Sequence, residues 1–397
     1  MNTLVWISFL LAIASLLFIG RKSIWVALFL AAIIIGIMNL PAIALGEELL
    51  NTFGDMSVLF LAISVGLIPL IGGTLEETGL TDGLVNNLRI GRKWFVSLSP
   101  ALLGALPMPG GALLSAPILN RGAEGIKPET KVAINVWFRH IPLMVYPLGM
   151  VLVVTRMAKL DLYKEILYII PWMLITILVG YLFFVRKVKG RVEGNSKIDY
   201  KELAKPLLSI FLAPGIHIAM TTLFPNLIPE LPLLIGVICS LGLTAYFGKP
   251  GFRGFGKIVR DMKPWKFFLI IIGMFYFLNI FNRSETAPII AQIVIGKTFF
   301  IVFFAAFMGF VTGRVQVPIS ILLPIYYAKF ATSSIDYLTF SILFVSTFLG
   351  YLISPIHPCV SVSMEYFGTD LKQHFQKLTV PVGIIMLLLT AFSLVFL

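Results

Sequence analysis

Runs of about 20 apolar residues, each long enough to cross a bilayer as a helix, recur from one end of the chain to the other. A soluble core has no use for that much apolar surface: 58% of the residues are hydrophobic and the mean hydropathy is +0.95. A transmembrane β-barrel would instead show alternating segments of about ten residues, which the sequence lacks. The expectation is an all-α polytopic membrane protein. Full spans are expected at 2–20, 23–45, 55–73, 129–157, 163–186, 206–224, 231–248, 265–282, 336–367 and 375–397. Of these, 129–157 and 336–367 are too long for one straight helix and carry internal prolines, so each is expected to be a broken helix. Two further segments, 94–121 and 297–330, are expected to be re-entrant hairpins. The first arm of 94–121, about 13 residues or about 20 Å of helix, falls short of the roughly 30 Å hydrocarbon core. The first apolar segment has no basic flank before it, so it is expected to be a retained span and not a cleaved signal.

The net charge of +12 invites a nucleic-acid partner, but topology accounts for it. With the N-terminus outside, most of the 31 basic residues fall in cytoplasmic loops, as the positive-inside rule requires. They cluster at Arg21 and Lys22, between Arg89 and Lys131, along 186–205, between Lys249 and Lys266, and at Lys372 and Lys377. The expected address is the cell (inner) membrane, with both termini extracytoplasmic and the central linker cytoplasmic. The lipid bilayer is an expected partner and nucleic acid is not. Cys239 and Cys359 make neither a disulfide framework nor a metal-spaced set, and no resident metal or cofactor is expected.

The two halves repeat. The basic linker 187–205 separates 1–186 from 206–397, and each half holds five spans and one hairpin. Five is odd, so the second half is inverted in the membrane. "EET" at 76–78 and "SET" at 284–286 end corresponding spans. Gly104 and Pro109 have the spacing of Gly313 and Pro318. Inverted repeats with broken helices are the architecture of secondary transporters, whose substrate sites lie near the bilayer midplane.

Four stretches carry chemistry on this reading. The first is "ALPMPGG", with Pro107, Pro109, Gly110 and Gly111. A backbone break in a bilayer must line a cavity or pack in protein. Half-helices starting there aim N–H groups at an anion. The second is "NVWFRHIPLMVYPL", with Asn135, Arg139 and His140 inside a span. Ionisable groups there are functional by default, and an arginine grips a carboxylate with two parallel hydrogen bonds. The bland alternative is that Arg139 snorkels to the cytoplasmic interface. The third is "TGRVQVP", with Thr312, Arg314 and Gln316 at the second hairpin tip; the alternative is a plain loop between two spans. The fourth is "SPIHPCVSVSMEYFG", with Ser354 and His357 at the second break. His140, His357, Glu77 and Glu285 are candidates for coupling to protons, with Na+ held by backbone carbonyls as the other coupling ion. For the two glutamates the favoured reading is an interfacial helix-end contact.

Several classes find no support. The phosphate-cradling GxxxxGK[ST] loop, the HExxH zinc motif and the GxSxG elbow are all absent, so neither ATP-driven transport nor an enzyme is expected. The expected function is secondary transport of a small anionic, carboxylate-type organic solute. The alternatives are a cation/proton antiporter and a membrane-embedded enzyme acting on lipid head groups.

The element order, with "LPMPGGALLSAP" and "NVWFRHIPLMVYPL", resembles the ion-transporter superfamily over nearly the whole chain. That group includes gluconate permeases, arsenite permeases and divalent anion:sodium symporters. Within it the chain looks most like an uncharacterised prokaryotic integral-membrane family, a domain of unknown function. The resemblance implies elevator-type alternating access and a homodimer. The sodium–dicarboxylate members carry Ser-Asn-Thr at their hairpin tips, where this chain reads "ALPMPGG" and "TGRVQVP".

Overall fold

The computed structural model describes residues 2–87, 90–105, 111–190, 199–284 and 286–397. Their regular structure is helical throughout. Among them seven helical segments are long and apolar enough to cross a membrane. The first half runs α1 (Asn2–Phe18), α2 (Ile24–Asn39), α3 (Ala42–Gly54), α4 (Met56–Glu77), α5 (Leu80–Asn86), α6 (Arg92–Gly104), α7 (Gly111–Gly122), α8 (Pro128–His140), α9 (Met150–Met157) and α10 (Leu162–Gly180). The second half runs α11 (Tyr200–Leu223), α12 (Leu231–Gly248), α13 (Gly251–Met262), α14 (Pro264–Arg283), α15 (Thr286–Ile290), α16 (Ala305–Thr312), α17 (Gln316–Lys329), α18 (Tyr337–Ile353), α19 (Pro358–Phe367) and α20 (Leu371–Phe396). One π turn, Tyr181–Val185, extends α10, and another, Phe299–Phe304, leads into α16.

Local chemistry moves several boundaries from the expected ones. The span expected at 23–45 ends at Asn39. Pro41 cannot continue the helical hydrogen-bond ladder, and Ala42–Gly54 forms a helix of its own. Residues 251–262, expected as a basic loop, form α13. The sixth span starts at Tyr200, inside the expected linker. The Asp199 side chain accepts from the Lys201 and Glu202 N–H groups, satisfying two otherwise orphaned donors. The last span starts at Leu371, where Asp370 and Gln373 form a reciprocal capping box. The segment 297–330, expected as the second hairpin, holds helices of six plus eight residues before its turn and 14 after it. Each arm is about 21 Å long at 1.5 Å per residue, short of the roughly 30 Å core.

The helices pack in two groups. In one, α14 lies against α2, α3 and α4, while α4 lies against α12 and α13, with α1 on α2 and α11 on α12. In the other, α6 packs on α8 and α16 on α18; α7 meets α19 and α17 meets α9. Charged ends fasten the two amphipathic helices. Glu47 and Glu48 of α3 bind Arg283 at the end of α14, at 2.9 and 2.8 Å. Lys257 of α13 binds both carboxylate oxygens of Glu77 at the end of α4, at 2.8 Å, which raises the Lys257 pKa above its usual value.

Small residues set how closely the second group packs, as they do wherever membrane helices approach backbone to backbone. A Cβ on Gly350 of α18 would fall 1.9 Å from the Ala306 carbonyl oxygen. One on Gly309 of α16 would fall 2.1 Å from that of Thr347. Gly350→Ala is therefore expected to destabilise the protein by about 1–3 kcal/mol through forced separation of these helices. A thermal melt of the purified protein reads this, with Gly383→Ala, which meets nothing within 4 Å, as the control.

A buried cationic centre where two broken helices meet

The helix that begins at Pro128 stops at His140. Pro142 removes a backbone donor, Ile141–Met144 tighten into a 3₁₀ turn, and Gly149 caps the restart at α9. The second long helix stops at Ile353 and restarts at Pro358, the first residue of α19, with His357 as its N-cap. Proline at the first helical position loses nothing, because that N–H has no partner in the helix anyway. Each break thus releases the chain beside a histidine, and the two histidines meet. The His140 and His357 rings lie 4.6 Å apart in a T-shaped pair, and Tyr351 of α18 stacks on His357 at 4.1 Å.

Helix α6 and the turn between α16 and α17 press on the same place. Gly104, the last residue of α6, lies so close to α8 that a Cβ would sit 1.7 Å from the Arg139 carbonyl oxygen. Gly313, at the turn between α16 and α17, has φ +59°, and a Cβ there would sit 3.1 Å from the backbone nitrogen of His357. Glycine serves both positions: one forbids a side chain, and the other is left-handed and crowded.

Hydrogen bonds hold the breaks. His140 Nδ1 donates to the Val136 carbonyl at 2.5 Å; a carbonyl only accepts, so Nδ1 carries the proton and Nε2 of the neutral ring keeps a free lone pair. Asn135 Nδ2 donates to Ser363 Oγ at 2.9 Å, joining α8 to α19. Ser354 Oγ donates to the Phe310 carbonyl at 2.6 Å, tying the second break to α16. Thr312 Oγ1 is turned back onto the Met308 carbonyl of its own helix.

Charge is less well satisfied. Arg139 is 5% exposed, His140 1% and His357 2%. Arg139 lies against the Cys359 thiol, and both Arg139 and Arg314 are near enough to act electrostatically on Tyr351 and His357. Among the described residues neither arginine forms an ion pair. One guanidinium nitrogen of Arg139, Asn135 Oδ1 and His357 Nδ1 are buried without a hydrogen-bond partner. A buried charge without a counter-charge is unfavourable by several kcal/mol.

Of the residues singled out from sequence, Asn135, Arg139, His140, Arg314, Ser354 and His357 come together here. Gln316 opens α17 and Gly111 opens α7. Glu77 is not brought to the rings; it is occupied by Lys257 at the end of α4. Pro107, Pro109, Gly110 and Glu285 lie outside the described residues. Tyr351 and Cys359 join the centre unannounced, beside Ser363, a polar residue of the fourth stretch. The proximity of Cys359 to His357 in "SPIHPCV" was the available signal for one of them. Glu165 was also missed. It is fully buried in the first turn of α10 and neither of its oxygens has a partner. Four residues after the N-cap Asp161, it carries no sequence signal that separates it from an ordinary first-turn acid.

Fold and centre together define an all-α multi-pass membrane protein with a buried cationic cluster between two interrupted helices. By sequence the chain belongs to the family described as "Protein of unknown function (DUF401)", whose model matches residues 81–396. No curated protein matches it in sequence. Among solved structures it is similar to the YdaH transporter of Alcanivorax borkumensis, with TM-score 0.60 and 15% identity over 96% of this chain and 98% of that one. At that identity the likeness is one of fold.

Proposed function

We propose that the protein is a secondary transporter of a small organic anion, bound between the two helix breaks by Arg139 and Arg314 with His140 and His357 beside them. The observation that carries this is the pair of unpaired guanidiniums beside two buried imidazoles, with no carboxylate as counter-charge among the described residues. A permanent structural charge of that kind would be paired; one that awaits an anionic solute is not. The likeness to a transporter fold supports transport in general.

The packing supports an inverted repeat. Exchanging the halves maps α2 on α14 onto α12 on α4, and α3 on α14 onto α13 on α4. It also maps α6 on α8 onto α16 on α18, and α7 on α19 onto α17 on α9; all of these contacts occur. On this reading 94–121 and 297–330 are re-entrant hairpins entering from opposite sides. The protein belongs to the wider ion-transporter superfamily and works by elevator-type alternating access as a homodimer in the inner membrane. Its central linker is cytoplasmic and both termini are outside. Protons, through His140 or His357, or Na+, through the carbonyls freed at the breaks, drive the solute.

A thermal-shift screen of organic anions on the purified protein tests the reading. One or more carboxylates are expected to raise the melting temperature, and the same compounds to be taken up by proteoliposomes under a proton or sodium gradient. A screen without a stabilising anion, together with proteoliposomes inert under both gradients, removes it.

A further inference from the structure

We infer that the solute is an anionic chelate of a divalent transition-metal ion, the metal held by His140, His357 and Cys359 and the organic anion by Arg139 and Arg314. This rests on the transporter reading above and names its substrate class. The three donors come from both halves: His140 ends α8, His357 caps α19 and Cys359 is the second residue of α19. Their ligand atoms all lie within 4.8 Å of one another. Two imidazoles and a thiolate suit zinc and its d-block neighbours, not calcium or magnesium, which take oxygen. A chelating carboxylate takes at least two positions, so the three donors fill adjacent positions of a five- or six-coordinate ion, about 2.8–3.3 Å apart with bonds of about 2.0–2.3 Å. Side-chain closure of about 1.5–2 Å from the 4.8 Å limit therefore completes the set.

The two imidazoles are already prepared. The His140 Nδ1–H bond to the Val136 carbonyl is the outer contact that metal-binding histidines make; it fixes the tautomer and leaves Nε2 for the ion. His357 Nδ1 is a buried nitrogen facing no partner, which protein interiors rarely tolerate without a purpose. Arg139 lies against Cys359, and metal binding itself displaces the thiol proton to give the ligating thiolate.

The arginines exclude a bare ion as the solute. A free dication would enter a cluster with two guanidiniums and no carboxylate among the described residues, against strong repulsion at low dielectric. Chelated by a polycarboxylate, the same ion arrives with its charge reversed. A tricarboxylate balances two guanidiniums, a dication and one thiolate. Its outer oxygens face the arginines while the remaining coordination positions of the metal face the two histidines and the cysteine.

Tag-free full-length protein, titrated with citrate, with Co2+ and with both, tests this. With both present, a near-ultraviolet thiolate-to-cobalt charge-transfer band is expected. Citrate should bind at least about tenfold more tightly with Co2+ than without, a difference of about 1.4 kcal/mol. Cys359→Ser should lose the band and the gain, while Cys239→Ser, at the exposed cysteine of α12, should keep both. If Cys359→Ser melts early, His140→Gln reads the same loss. Citrate binding equally with and without Co2+, with no band, overturns the chelate and leaves the anion transporter standing. A band that forms with Co2+ alone and is unchanged by citrate also overturns it. If no carboxylate binds in any form, the transporter reading falls too.

Discussion

Arg139→Met and Arg314→Met each weaken binding of the organic anion by about 10- to 150-fold, and each leaves the ligand-free protein as stable as before or more so. The first effect is the loss of charge-assisted hydrogen bonds, worth about 1.5–3 kcal/mol each. The second follows from burial. Arg139 is 5% exposed and has no ionic partner among the described residues, so an apolar side chain of similar length removes an unfavourable desolvated charge. The two signs together separate function from structure. A purely structural arginine would lose stability on substitution and leave the affinity of the folded fraction unchanged. Titration calorimetry with the anion found in the screen, and a melt of the ligand-free protein, read both quantities. Retained affinity in both variants would remove the arginines from the site.

The second large effect concerns an ion pair between the two helix groups. Arg156, in the last turn of α9, lies 2.5 Å from Glu230, the N-cap of α12, and donates to Ser57 Oγ at the start of α4 at 2.5 Å. The Ser57 hydroxyl in turn donates to Glu230. The Glu230 side chain is 6% exposed, so the pair is shielded on that side. Glu230→Gln is expected to destabilise the folded protein by about 1–2 kcal/mol, because it leaves the Arg156 guanidinium without its counter-charge. A thermal melt of the purified protein reads the loss, with Lys205→Gln, in the more exposed pair with Glu202, as the control expected to change little. An unchanged melting temperature would assign the Arg156–Glu230 contact to a surface charge pair of no consequence for stability.

Much of the membrane architecture was readable from the chain, because a bilayer makes hydrophobic length a direct measure of a span. The segments 231–248 and 265–282 are found at Leu231–Gly248 and Pro264–Arg283. The interruptions expected in 129–157 and 336–367 occur at the prolines. Helices α3 and α13 were harder to read. They are short and amphipathic, and hydropathy resolves only what is apolar all round. Glu77 fills the interfacial helix-end role favoured for it, but its partner was harder to name, because Lys257 lies in a segment that charge alone marks as loop.

The sequence by itself determined that the chain crosses a membrane as helices, where two of those helices break, and that arginine and histidine sit at or beside the breaks. It could do so because the apolar period, the prolines and the cost of burying a charge in hydrocarbon are all local properties. Only the tertiary structure decided which of these residues share one centre. His140 and His357 belong to opposite halves, Cys359 joins them from a third position, and Glu77 is drawn away to a helix end. Those outcomes depend on how closely helices pack at Gly104 and Gly313, and packing of that kind has no signature in a single stretch of chain.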